Sequence, residues 1–227
     1  MVDYSDLVKV SIMPKMEQTA SFLAEIRLLY EYPRKGYGKY QIESHLKNLE
    51  NGYLAELAFL KLITDRIKGK YRQQIIELNQ EYSEDKAKVL FDSINNEKFA
   101  YMLVIGQPDE GYDFKIKQFL IDIKTYGTDY IISKENRYFT QNKKNEILEL
   151  NLLIDARQGK KWENNSEIIF IQSFIELDSQ NKKKENVIFA GYHKGLPKYN
   201  DKFPNPAYAC KVRELNTMND LFNLIGV

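Results

Sequence analysis

The spacing of apolar residues changes character near residue 100. Ala20-Ser21-Phe22-Leu23-Ala24-Glu25-Ile26-Arg27-Leu28-Leu29-Tyr30 has the crowding of a helix packed on one side, and Pro33 is expected to end it. Leu49, Tyr53, Glu56, Leu60 and Ile63 follow at helical spacing, so they share one face of a helix expected from about Asn51 to Ile67. A further helical stretch, Tyr71 to about Ile94, shows Ile75, Leu78, Tyr82 and Val89 among many charges and reads as an insertion or outer layer. From Phe99 the pattern becomes that of strands: Ala100 to Ile105, Tyr112 to Lys117, Phe119 to Tyr126, Ile147 to Ile154, Glu167 to Ile175 and Val187 to His193. Lys182 to Glu185 reads as a solvated turn and Gly195 to Pro206 as a long loop. Ala207 to Leu215 is expected as an edge strand, and Met218 to Ile225 as a short terminal helix. Helices that precede and follow a run of strands predict a mixed α/β domain.

Between the first two helices, Pro33-Arg34-Lys35-Gly36-Tyr37-Gly38-Lys39-Tyr40 gathers three cations, two tyrosines and two glycines. This is expected to be a flexible loop, with Arg34, Lys35 and Lys39 as candidates for following a nucleic-acid groove. A solvated loop fits the same residues equally well. The balance of 33 basic against 32 acidic residues leaves a net charge of +1, so the chain as a whole is no polycation and any such contact must be local.

At 227 residues and 43% apolar content, the chain suits one α/β domain with appendages. It has no run of 18 apolar residues and no apolar signal core from Met1 to Glu17, which predicts a soluble, intracellular protein without a membrane partner. Cys210 is the only cysteine, which excludes a disulfide framework and thiolate zinc sites; a small buried hydrophobe is its expected role. His45 and His193 are too far apart for an H-E-x-x-H site. Gly106 to Tyr112 has the glycine spacing of a phosphate loop but lacks its lysine, so no nucleotide-driven motor is expected.

The chemistry is concentrated in Gly111-Tyr112-Asp113-Phe114-Lys115-Ile116-Lys117-Gln118-Phe119-Leu120-Ile121-Asp122-Ile123-Lys124. If Lys117 and Gln118 form the turn of a hairpin, Asp113 lies across from Asp122, and Phe114, Ile116, Phe119, Ile121 and Ile123 share an apolar face for the core. The other face, expected to point outward, carries Asp113, Leu120, Asp122 and Lys124. Its two carboxylates would have Cβ atoms about 5 Å apart and would repel unless a positive charge lay between them. A magnesium ion suits that place: it prefers oxygen ligands at about 2.0 to 2.1 Å and keeps waters, leaving room for a phosphate oxygen and an attacking water. Lys124, on the same face, is placed to orient or deprotonate that water and to stabilise charge in the transition state. Glu56, a carboxylate inside an apolar helical stripe, is costly to bury unpaired, and the metal or its water shell would satisfy it. Asp122-x-Lys124 alone is a weak motif; the upstream aspartate in register and the apolar opposite face strengthen it.

These residues resemble the PD-(D/E)XK nuclease superfamily over roughly Asn51 to His193: Gly-Tyr-Asp-Phe matches the family's first aspartate at Asp113, and Ile-Asp-Ile-Lys its D-x-K element at Asp122 and Lys124. The resemblance implies a restriction-endonuclease-like α/β fold with a central mixed sheet flanked by helices. It also implies metal ligation by Asp113, Asp122 and the carbonyl of Ile123, with Lys124 catalytic and Glu56 as the helical acid. Tyrosine stands where the family has proline before its first aspartate, and a literal Pro108-Asp109 pair makes Asp109 the rival to Asp113. The register of the hairpin favours Asp113.

The expectation is therefore a magnesium-dependent endonuclease acting on double-stranded DNA, with manganese able to substitute. A type II restriction enzyme working as a cytoplasmic, prokaryotic homodimer is the leading form. Residues 1–47 would be a helical and basic-loop extension, and 48–227 the nuclease core. The alternatives are a repair or recombination nuclease of the resolvase kind and a non-catalytic DNA-binding protein of the same fold.

Overall fold

The computed structural model describes residues 1–35, 39–66, 112–127, 144–177, 183–202 and 206–226. The helix expected from Tyr71 to Ile94, the strand from Ala100 to Ile105, and Asp109 lie outside these residues. The chain divides into two compact units, Ser11–Glu110 and Met1–Val10 with Gly111–Val227.

The first unit is helical. Helix α1 (Pro14–Lys35) and helix α2 (Lys39–Arg66) pack against each other. α1 continues two residues past Pro33, so the expected stop there is wrong. A proline in the last turn forfeits a single N–H bond. Arg34 and Lys35 consequently end α1, and Lys39 begins α2, where one open loop was expected. In α2, burial extends almost all round from Asn51 to Phe59 and is not confined to one stripe. Glu56 is 9% exposed there. α2 also runs unbroken through residues 47 and 48.

The second unit is built on a mixed five-stranded sheet, in the order β1 (Val8–Ser11), β6 (Lys184–Lys194), β5 (Ile168–Leu177), β3 (Phe119–Gly127), β2 (Phe114–Ile116). β2 and β3 are antiparallel, β3 and β5 parallel, β5 and β6 antiparallel. The hairpin forms in the register expected from its alternation, with Phe114 opposite Ile121 and Ile116 opposite Phe119. Lys117 takes a left-handed φ of 54° in the turn, the backbone reversal that a two-residue connection requires.

A second, three-stranded antiparallel sheet runs β4 (Asn151–Asp155), β8 (Ala207–Lys211), β7 (Lys198–Asn200). β8 is thus the middle strand of a sheet and not an edge strand, because residues 198–200, expected as loop, pair along it. The strand expected from Ile147 divides into helix α3 (Lys144–Glu149) and β4, with Leu150 turning back to donate to the Ile147 carbonyl. α4 (Ala156–Lys160) follows β4 directly, and α5 (Met218–Ile225) closes the chain as expected. Thr217 and Asp220 cap α5 reciprocally, and Gly226 ends it in the left-handed region.

Ile168, Phe170, Phe174, Ile188 and Ala190 of the large sheet share one core with Leu152 and Ile154 of the small sheet, Ile147 of α3 and Trp162. Phe170 is registered with Asp122 and Gln172 with Lys124, so this is the face that carries the acidic residues. The expectation that it points outward is therefore wrong: a second layer covers it. β5 is buried on both faces from Ile168 to Ile175. Among the described residues no helix is long and apolar enough to cross a membrane.

Candidate active site

β2 is only three residues long, so the hairpin ladder ends at Phe114 and Ile121. Beyond it, Asp113 donates its N–H to the Ile121 carbonyl at 2.8 Å, and its Oδ2 accepts the Ile123 N–H at 2.7 Å. A side-chain oxygen thus takes the place of the next ladder bond and holds Asp113 against the middle of β3. The N–H and C=O of one strand residue leave on the same side, so the Ile123 carbonyl also faces the β2 side, past the end of the ladder. Tyr112, the residue before Asp113, lies edge-on to Trp162 at 6.4 Å between ring centroids.

Asp122 is 4% exposed. Its Oδ2 receives the Lys124 ammonium at 2.8 Å and the Gln158 amide nitrogen at 2.6 Å. No described residue donates to its Oδ1 or to Asp113 Oδ1. Burial, and then the charge of Asp122, push the Asp113 carboxyl up from 3.8 to about 7, against the Ile123 N–H and Lys124, which pull it down. Two half-engaged carboxylates with a carbonyl beside them form an all-oxygen donor set that suits a hard divalent cation such as magnesium. Among the described residues there is no group of three or more His, Cys, Asp or Glu side chains that could hold a metal. The aspartates are a pair, and waters or substrate oxygens would have to complete the coordination.

Of the residues singled out in the sequence, the structure brings together Asp113, Asp122, Ile123 and Lys124. Glu56 belongs to the helical unit. Cys210 is partly buried in β8, where burial and then Glu214 push its thiol up to about 12, which disfavours the thiolate. His193 is engaged at Nδ1 with the Gly195 carbonyl, 3.0 Å away.

Two glutamines at the site carry no signal in the sequence. Gln158, on α4, accepts from Lys124 Nζ at 2.8 Å while donating to Asp122. Gln172, fully buried on β5, donates to the Lys124 carbonyl at 3.1 Å and to the Ser173 carbonyl at 2.9 Å. Thr125 and Ser173 share a hydroxyl bond of 2.9 Å between β3 and β5. The polar residues of β5 thus brace the backbone that presents Lys124. No periodicity marks them, since Gln172 and Ser173 interrupt an otherwise apolar run.

No family model, no curated protein and no solved structure matches this chain.

Proposed function

We propose that this protein is a magnesium-dependent endonuclease with a restriction-endonuclease-like fold that hydrolyses phosphodiester bonds of double-stranded DNA. The observation that supports this reading most is the convergence on one hairpin of two carboxylates, each with an oxygen to spare, and a lysine ion-paired to the second. Asp113, Asp122 and the Ile123 carbonyl would hold the cation. When bound, it supplies a Lewis acid for a phosphate oxygen and makes water a nucleophile near neutral pH.

Lys124, ion-paired with Asp122, acts as a donor and a fixed charge; it orients the incoming water and stabilises the negative charge that builds on the phosphate oxygens. Water adds at phosphorus, releasing a proton to solvent, and the bridging P–O bond breaks opposite it, the departing oxygen taking a proton from solvent. The layer covering this face keeps Asp122 out of bulk solvent, which strengthens each of these interactions. A pair of such sites, one for each strand, suits a homodimer of the type II restriction kind.

The test is incubation of purified protein with plasmid DNA in magnesium, in manganese and in EDTA. Discrete linear fragments in either metal and intact plasmid in EDTA support the reading. Intact plasmid under all three conditions overturns it.

A further inference from the structure

We infer that Gln158 is a positioning residue for this reaction, its amide clamping the Lys124 ammonium against Asp122; the inference rests on the nuclease reading above. Gln158 Oε1 accepts from Lys124 Nζ at 2.8 Å, its Nε2 donates to Asp122 Oδ2 at 2.6 Å, and Lys124 Nζ lies 2.8 Å from that same oxygen. The three side chains close a ring. A side-chain amide offers an acceptor to an ammonium and a donor to a carboxylate from one planar group. Its orientation is determined, because turning it over would set NH₂ against NH₃⁺ and oxygen against carboxylate.

Local structure fixes where that amide falls. α4 is a single turn issuing from β4, and Asp155 caps it by accepting the Arg157 N–H at 2.8 Å. Gly159 follows Gln158, and a Cβ at that position would lie within the van der Waals envelope of the Tyr208 ring. The glycine lets α4 lie flat against β8. Tyr208 is held in turn by its hydroxyl bond to Glu163 at 2.6 Å.

The clamp has two chemical consequences. A lysine has a flexible four-carbon stem and three ammonium protons; Asp122 and Gln158 take two, leaving one for an attacking water or a phosphate oxygen. Both donors also fall on Asp122 Oδ2, which reserves Oδ1 for a cation. Gln158 thereby decides which carboxylate oxygen is offered and where the lysine charge sits, without touching the substrate.

The test is Gln158→Met, which keeps the side chain's length and loses both hydrogen bonds, with Gln158→Asn as a shortened amide. Turnover of duplex DNA by Gln158→Met should fall about 10- to 100-fold, with KM within twofold of the parent. Gln158→Asn should recover part of the loss. As a readout independent of cleavage, the ¹⁵N signal of the Lys124 ammonium should show slow proton exchange in the parent and fast exchange in Gln158→Met. Unchanged turnover in a parent that cuts DNA, or unchanged ammonium exchange, overturns the clamp while leaving the nuclease reading intact. A parent that does not cut DNA in magnesium or manganese overturns that reading, and the catalytic consequence of Gln158 with it.

Discussion

Asp113 and Ile123 meet where the β2–β3 ladder runs out, the carboxylate Oδ2 taking the Ile123 backbone N–H at 2.7 Å. The same hydrogen bond holds one acid beside another in a partly covered site. That arrangement costs stability when both are ionised and favours whatever cation relieves it.

Asp113→Asn separates these two roles. Asparagine can still accept the Ile123 N–H, so the hairpin should form; its lost charge removes a cation ligand, so cleavage should fall about 100-fold or more. The stability effect has a definite sign. The folded carboxyl is raised from 3.8 to about 7, so its protonation stabilises the fold fully below pH 3.8, and that contribution is lost as pH rises to 7. The apo variant should therefore melt above the parent at pH 8 and level with it near pH 3.8, as differential scanning fluorimetry can check. Asp109→Asn should leave cleavage largely unchanged; a reversed outcome for the two aspartates would show that Asp109 is the ligand.

Calcium should stabilise the parent more at pH 8 than at pH 5.5, because below about 7 a proton competes with the cation for Asp113. At a calcium concentration 100 times its Kd the gain should reach about 2.7 kcal/mol, read as a rise in the melting midpoint. An equal rise at both pH values, or a rise preserved in Asp113→Asn, would place the cation elsewhere.

Asp122→Asn and Lys124→Met should each lower the initial rate of plasmid cleavage in magnesium about 100- to 1,000-fold. The two variants should differ in stability. Lys124→Met leaves the nearly buried Asp122 carboxylate, beside Asp113, without its counter-charge and should be the less stable, whereas Asp122→Asn leaves a more exposed ammonium and removes one of two repelling acids. Cleavage within tenfold of the parent by either variant would remove its residue from the site.

How much of this was legible in the sequence depends on whether the signal was local. The hairpin register followed from alternation about Lys117 and Gln118, and α5 was expected over Met218 to Ile225, where it forms. The aspartate pair came with the register. The covering layer did not, because Leu120, Asp122 and Lys124 look like an outer face until Leu152, Ile154 and Trp162 are folded over it. Ile147 was misread for a related reason: its burial comes from tertiary packing of a six-residue helix too short to show a period. Gln158 reaches the site from a separate turn, 34 residues after Lys124, and only the folded chain brings them together.

The three cations at the junction of α1 and α2 supply the last prediction. Arg34 and Lys35 end one helix and Lys39 begins the next, so three positive charges lie close together in the sequence of a protein whose net charge is only +1. Diffuse attraction to DNA is then weak, and affinity must come from local clusters of this kind. Changing all three to glutamine keeps helix propensity and removes the charge. Binding of duplex DNA by the triple variant, measured by fluorescence anisotropy in calcium on an Asp122→Asn background, should weaken. The log-log dependence on salt should flatten by up to about one unit for each phosphate that the variant no longer neutralises. Helical content by circular dichroism should stay at the parent value, so that a fall in affinity reflects charge and not unfolding. An unchanged affinity and salt slope would make the cluster a solvated surface and direct the search for the DNA-binding face to other basic residues.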